Sequence, residues 1–151
     1  MYKVSVIVPI YNAEKYFDEC IESVINQTIG FENIQLILFD DCSTDGSATI
    51  AKRYAQEYDN VSFYSSEKNT GVAGHARNIG LEHAEGEYVM FTDADDFYDL
   101  AACETMYNFI KEKNADLVTA NYKNADENGT PWEKPIFNLD EYKTFKLGTG
   151  D

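Results

Sequence analysis

The segment YVMFTDADDFYD, residues 88–99, sets Asp93, Asp95 and Asp96 directly behind an apolar run, with Asp99 close after them. Carboxylates this near repel one another, and each charged neighbour raises the cost of ionising the next. A hard divalent cation removes that cost. Mg²⁺ and Mn²⁺ prefer oxygen ligands, and one or two protein carboxylates suffice when substrate phosphates and water complete the shell. Asp93 and Asp95, at the end of the run, are the candidate metal ligands. The competing use of such residues is capping of a following helix, and that is the reading adopted for Asp99.

Two further clusters carry candidate chemistry. Asp40-Asp41, followed by CSTDG, closes a second apolar run. A carboxylate there can accept a hydrogen bond from an imide or amide N–H, which is how a base edge is read; a turn is the alternative, and Asp45-Gly46 is read as that turn. The segment NTGVAGHARN, residues 69–78, puts glycines where a helix begins. There the backbone can approach a ligand closely, and free N–H groups attract phosphate. Arg77 could pair with a diphosphate or lock a neighbouring acid such as Asp93. His75 and His83 lack a third ligand nearby, which argues against a histidine zinc site.

Composition narrows the partners. The chain has 151 residues, 44% of them apolar, with a formal charge of −15 and a pI near 4.3. That is the size of one domain with a real core. The acidity argues against nucleic acid, whose phosphates need clustered Lys and Arg, and against anionic lipid. A phosphate-bearing ligand would need a divalent metal between two anions. Cys20, Cys42 and Cys103 are three, widely spaced and outside any CxxC pair, which fits a reduced cytoplasmic setting. No leader precedes the first strand. No apolar run nears the roughly 18–20 residues that span a bilayer.

The elements that must position these residues alternate. Residues 3–12, 34–40, 61–66 and 87–93 read as strands, the first two as continuous apolar runs typical of strands buried on both faces. Residues 13–30, 71–84 and 99–114 read as helices by three-and-four spacing, the first closed by Gly30, and residues 41–59 as a turn followed by a helix capped by Ser43, Thr44 or Asp45. ADLVTANY, residues 115–122, predicts a fifth strand, and Ile136–Leu139 a short further one. This order predicts a parallel α/β sheet with helices on both faces. Ligands in such sheets bind beyond the carboxyl ends of the strands, where every cluster above falls. From residue 123 the periodicity fades, so residues 1–122 form one expected region and 123–151 the start of another, expected to be truncated.

Three spaced motifs, VSVIVPIYNAEKYFDECIESVINQT, ILFDDCSTDGS and NTGVAGHARNIGLEHAEGEYVMFTDADD, resemble the front of a family-2 inverting glycosyltransferase of the GT-A (Rossmann-like) fold. The resemblance covers Lys3 to Tyr122. It implies transfer of a sugar from a nucleotide-diphosphate sugar, a UDP-sugar foremost, to a saccharide or lipid-linked acceptor with Mn²⁺ or Mg²⁺, at the cytoplasmic side of the membrane. Pro9 and Tyr11 would then line the base pocket, Tyr11 by stacking, and Asp41 would read the base with Asp40 as companion. Arg77 would lie near the donor phosphates. Asp93 and Asp95 would be the DxD pair, Asp95 binding metal directly and Asp93 beside the ribose or a metal water, with Asp96 supporting the loop. The base that activates the acceptor hydroxyl has no match in the tail. Glu127, Glu133, Asp140 and Glu141 are acidic there, and none is assigned.

Two rivals are weighed. A dinucleotide-dependent dehydrogenase needs GxGxxG after the first strand, where this chain has PIYNAEKY. A receiver-type signalling domain shares the acidic strand top and Mg²⁺ but needs a lysine that DLVTANY lacks. A non-catalytic nucleotide-sugar-binding module remains the alternative to an enzyme.

Overall fold

The structure is a computed structural model that describes residues 1–126 and 130. The chain divides into two compact units, Met1–Asp116 and Leu117–Asp151. The first carries β1 (Val4–Ile10), α1 (Glu14–Ile25), a 3₁₀ turn (Phe31–Asn33), β2 (Ile34–Asp40), α2 (Ser47–Glu57), β3 (Val61–Ser65), α3 (Ala73–Glu82), β4 (Tyr88–Phe91) and α4 (Ala102–Lys113). The strands form a parallel sheet of order β3-β2-β1-β4.

All residues of the two central strands are buried, as their unbroken apolar sequence requires. Their side chains alternate between two cores. Val4, Val6, Val8 and Ile10 pack with Leu36, Leu38 and Met90 against Phe17, Cys20, Ile21 and Val24 of α1, and against Ala51, Tyr54 and Cys103. Full burial of each large aliphatic or aromatic side chain contributes about 1.5–3 kcal/mol. On the other face α3 lies close, because Gly80 brings its backbone against Ile7: a Cβ there would sit 2.4 Å from Ile7 Cγ2. Gly86 approaches the β1 backbone as closely, 2.5 Å from Ser5 N to a Cβ at that position.

Polar residues inside this second face are paired. Ser5 donates to Gln35 Oε1 at 2.6 Å, and Gln35 Nε2 donates to the His83 carbonyl at 3.0 Å. The amides of Glu85 and Gly86 close on Gln35 Oε1 and Ser5 Oγ, both at 2.8 Å. The turn from α3 into β4 is thereby fixed on the sheet.

The entries to α1 and α2 hold each other. Ser43, Ser47 and Asp45 accept from the amides of Asn12, Ala13 and Glu14 at 2.9–3.1 Å. In return Asn12 Oδ1 and Glu14 Oε2 each accept, at 2.8 Å, from the amides of Thr44 and Gly46. Neither helix has a side-chain cap from its own N-cap residue, and this exchange takes that place. Asn12 adopts the left-handed region, φ 51°, to make it.

Two expectations are corrected. α1 ends at Ile25, not at Gly30: the Asn26 amide still reaches the Glu22 carbonyl at 3.0 Å, but Gln27 Nε2 takes the Ser23 carbonyl at 2.9 Å that the next helical amide would use, and the Gln27 amide turns to the Val24 carbonyl at 3.4 Å. Residues 115–122 form no strand. Asn114 turns left-handed after α4, φ 48°, and Leu117, one of the few large apolar residues of that run, is 73% exposed. In the second unit the described residues include a turn in which the Thr130 amide donates to Asp126 Oδ1 at 2.9 Å. The expected strand at Ile136–Leu139 and the acids Glu127, Glu133, Asp140 and Glu141 lie outside the described residues.

Candidate active site

A cleft of about 490 Å³ opens at the carboxyl ends of β1, β2 and β4 and at the start of α3. Pro9 and Tyr11 end β1 on one wall, Asp41 follows β2, Gly71 and Val72 lead into α3, and Asp93 and Asp95 follow β4. Tyr11 is 52% exposed, so its ring is free to meet a flat ligand.

Asp41 is buried and holds the loop opposite. Its Oδ1 accepts from the Ser66 hydroxyl at 2.9 Å and the Thr70 amide at 3.0 Å. Its Oδ2 accepts from the Thr70 hydroxyl at 2.9 Å and the Gly71 amide at 3.1 Å. Burial pushes this carboxyl upward, but the bonds from Thr70, Ser66 and Gly71 outweigh it and hold it below the ordinary carboxylate value. Gly71 takes φ 68°, and its amide also reaches Asn69 Oδ1 at 2.6 Å.

Asp40 differs from its neighbour. It is buried, accepts from the Ser43 amide at 3.1 Å and is absent from the cleft wall. Its observed work is to close the turn after β2. Arg77 is likewise off the wall; its guanidinium pairs with Asp93 Oδ1. Of its two expected uses, the structure displays the lock on Asp93.

The acidic loop is therefore asymmetric. Asp93 is engaged by Arg77, whereas Asp95 is exposed on the cleft wall, and among the described residues no hydrogen bond or ion pair takes its carboxylate. The Asp96 carboxyl is pushed upward by partial burial, then by the charges of Asp95 and Asp93. Asp99 Oδ1 accepts from the Ala101 amide at 3.1 Å, which closes the turn before α4; the helix has no side-chain cap at Ala101, so the capping role expected of Asp99 is corrected to this turn.

No three His, Cys, Asp or Glu residues among those described converge into a ready-made cation cage. The donor set instead suits a hard ion that brings its own phosphate and water ligands: one free carboxylate, one reachable beside it, and no sulfur or imidazole on the wall. His75 and His83 face aromatic rings, 6.1 Å edge-on to Phe39 and 4.1 Å stacked on Tyr64. Asn69, in the 69–78 segment expected to approach a ligand, and Asn12, directly after β1, also line the cleft, as does Tyr16. Sequence reasoning missed Tyr16, whose spacing on α1 reads as part of the apolar stripe.

With this geometry in hand, comparison with known proteins gives one family. The chain matches the glycosyl transferase family 2 model over residues 5–150, and it belongs to that family. It is 52% identical over 116 residues to the minor teichoic acid biosynthesis protein GgaB of Bacillus subtilis strain 168, covering 77% of this chain and 13% of that protein. It is 36% identical over 131 residues to the poly(ribitol-phosphate) beta-N-acetylglucosaminyltransferase TarS of Staphylococcus aureus strain Mu50, covering 87% of this chain and 23% of the other. The crystal structure of S. aureus TarS 1-349 in complex with UDP-GlcNAc superposes with TM-score 0.69 at 38% identity, over 74% of this chain and 32% of that one. The mannosyltransferase PcManGT from Pyrobaculum calidifontis, in complex with GDP-Man and Mn²⁺, gives TM-score 0.61 at 31% identity, over 72% and 31%. The fold is GT-A. The chain spans about one third or less of the length of each of these relatives.

Proposed function

We propose that this chain is the donor-binding part of a metal-dependent inverting glycosyltransferase that moves a sugar from a UDP-sugar to a saccharide or lipid-linked acceptor. The observation that carries the reading is Asp95, a carboxylate with no hydrogen-bond or ion-pair partner among the described residues, on the wall of a cleft whose other side offers an exposed tyrosine. Residues 1–122 hold the donor, and residues 123–151 begin the acceptor side. The named relatives in teichoic acid synthesis make a cell-surface polymer built from the cytoplasmic side the favoured acceptor. No helix among the described residues is long and apolar enough to cross a membrane.

Within this reading Tyr11 stacks on the base beside Pro9, and Asp41 meets the base edge. Every lone pair of Asp41 is already approached by a donor of the 66–71 loop, so a base N–H must share or replace one of them, with Asp40 supporting from behind. Asp95 holds a Mn²⁺ or Mg²⁺ ion, with Asp93 beside the ribose or a metal-bound water and Arg77 within reach of the diphosphate when it leaves Asp93. The ion, when bound, neutralises charge on the departing nucleoside diphosphate.

Calorimetric titration of UDP into the chain, with Mn²⁺ and then with EDTA, tests this directly. The expected result is binding that Mn²⁺ tightens and that loses its metal response in Asp95→Ala. Equal binding with and without metal, or an Asp95→Ala variant that still responds, would overturn the metal assignment. If UDP fails to bind but GDP, CMP or dTDP does, the nucleotide is wrong and the site stands.

A further inference from the structure

Cys20, Ser23 and Gln27 recur at three-and-four spacing along one side of α1 and its exit, the stripe that faces a neighbouring element. All three touch the acidic loop or its continuation. Cys20 Sγ donates to the Asp93 carbonyl at 3.5 Å. Ser23 Oγ accepts from the Tyr98 amide at 3.0 Å while donating to the Cys20 carbonyl at 2.7 Å. Gln27 Nε2 donates to the Asp99 carbonyl at 2.7 Å and to the Ser23 carbonyl at 2.9 Å, and its Oε1 accepts from the Cys103 amide at 2.8 Å. The Thr28 amide adds a bond to the Leu100 carbonyl at 2.9 Å.

Gln27 is only 3% exposed, so its three bonds are ones it cannot exchange with water. α4 receives no side-chain cap from its N-cap residue, Ala101; the amide of Cys103 is met by Gln27 from another element instead. The early end of α1 is what frees Gln27 and Thr28 to turn toward this loop. Among the described residues the Asp95 side chain has no tie of its own, and the backbone on both sides of it is pegged to α1.

We infer that Gln27 and Ser23 are positioning residues that set the acidic loop for metal and diphosphate. They never touch the ligand. Their effect passes through the backbone at Tyr98 and Asp99, which fixes where Asp95 stands in the cleft. Sites of this kind need their supporting shell held to a fraction of an ångström. The inference rests on the reading of Asp93 and Asp95 as the metal-bearing pair.

The test uses Ser23→Ala and Gln27→Asn in the whole 151-residue chain, with two readouts. Amide exchange should accelerate about tenfold or more at Tyr98 in Ser23→Ala, with the β1 and β2 amides unchanged. The factor by which Mn²⁺ tightens UDP binding should fall by about tenfold, the scale for lost outer-shell partners, while UDP affinity in EDTA stays level because Pro9, Tyr11 and Asp41 are untouched. A merely structural role would lower both affinities together, and that result overturns the inference. So does a Mn²⁺ response that survives intact in a variant whose loop amides exchange faster. Ser23→Ala loses a single hydroxyl and decides the matter alone if Gln27→Asn does not fold. A parent chain that binds UDP without any Mn²⁺ response would instead sink the metal reading of the loop, and the positioning role with it.

Discussion

Cys42 shows how much one residue can cost in a loop that matters. It sits in the left-handed region at φ 63°, between Asp41 on the cleft wall and the Ser43 amide bonded by Asp40. A side chain in that conformation costs about 1–2 kcal/mol that glycine avoids. Cys42→Gly should therefore raise the unfolding free energy from urea curves, by somewhat less than that amount because glycine loses more chain entropy on folding; a lower value would show that the Sγ contact to the Glu67 carbonyl outweighs the strain. Asp41 has the opposite sign of effect. Its folded carboxyl titrates below the ordinary value, so its contribution is full above about pH 4 and is lost as pH falls through the folded value. Asp41→Asn should lower stability at pH 7 and flatten its decline in acid, measured as urea midpoints from pH 7 to 3. At this scale the sequence separated residue types but not their directions. Asp40 and Asp41 read alike, and only the strand's alternation sends one to the turn and the other to the cleft. Arg77 allowed two partners, and nearness to Asp93 selects one of them.

Among elements, the packing of α3 on the sheet depends on two glycines in different ways. A methyl group at Gly80 meets the Ile7 side chain, and one at Gly86 meets the backbone of Val4 and Ser5. Gly80→Ala should cost about 1–3 kcal/mol as an overpacked core, and Ile7→Ala in the same chain should recover part of that loss. Gly86→Ala has no such remedy, since no side chain can be trimmed to make room. Double-mutant denaturation curves would expose the difference, and equal rescue at both sites would refute it. The strands and helices of this region were legible because both central strands are apolar throughout and α1 carries a regular stripe. The exit of α1 was not, since Gly30 is the stronger stop signal on paper while the Gln27 side chain takes the Ser23 carbonyl first. Residues 115–122 offered a short apolar run, but the chain turns left-handed at Asn114 and leaves Leu117 exposed, so the run joins no sheet.

For the molecule as a whole, the charge of −15 sets it against the anionic diphosphate of the proposed donor. Self-repulsion of that size weakens with salt, because the screening length shrinks to about 8 Å at 0.15 M. Raising NaCl from about 20 to 150 mM should increase the urea midpoint with an unchanged slope. UDP binding in EDTA should tighten over the same range, where a basic pocket would loosen; a weaker binding in salt would locate an unrecognised cationic patch. The mutual bonding of the two loops after β1 and β2 has a further consequence for anyone building hybrids with relatives. Asn12, Ala13 and Glu14 offer amides that Ser43, Ser47 and Asp45 accept, and the reverse bonds run from Thr44 and Gly46. A graft that imports one of these loops without its mate strips the hydrogen-bond partners from both helix starts at once. The pair is one transplantable unit, and specificity borrowed at this rim of the cleft has to be borrowed as both loops together.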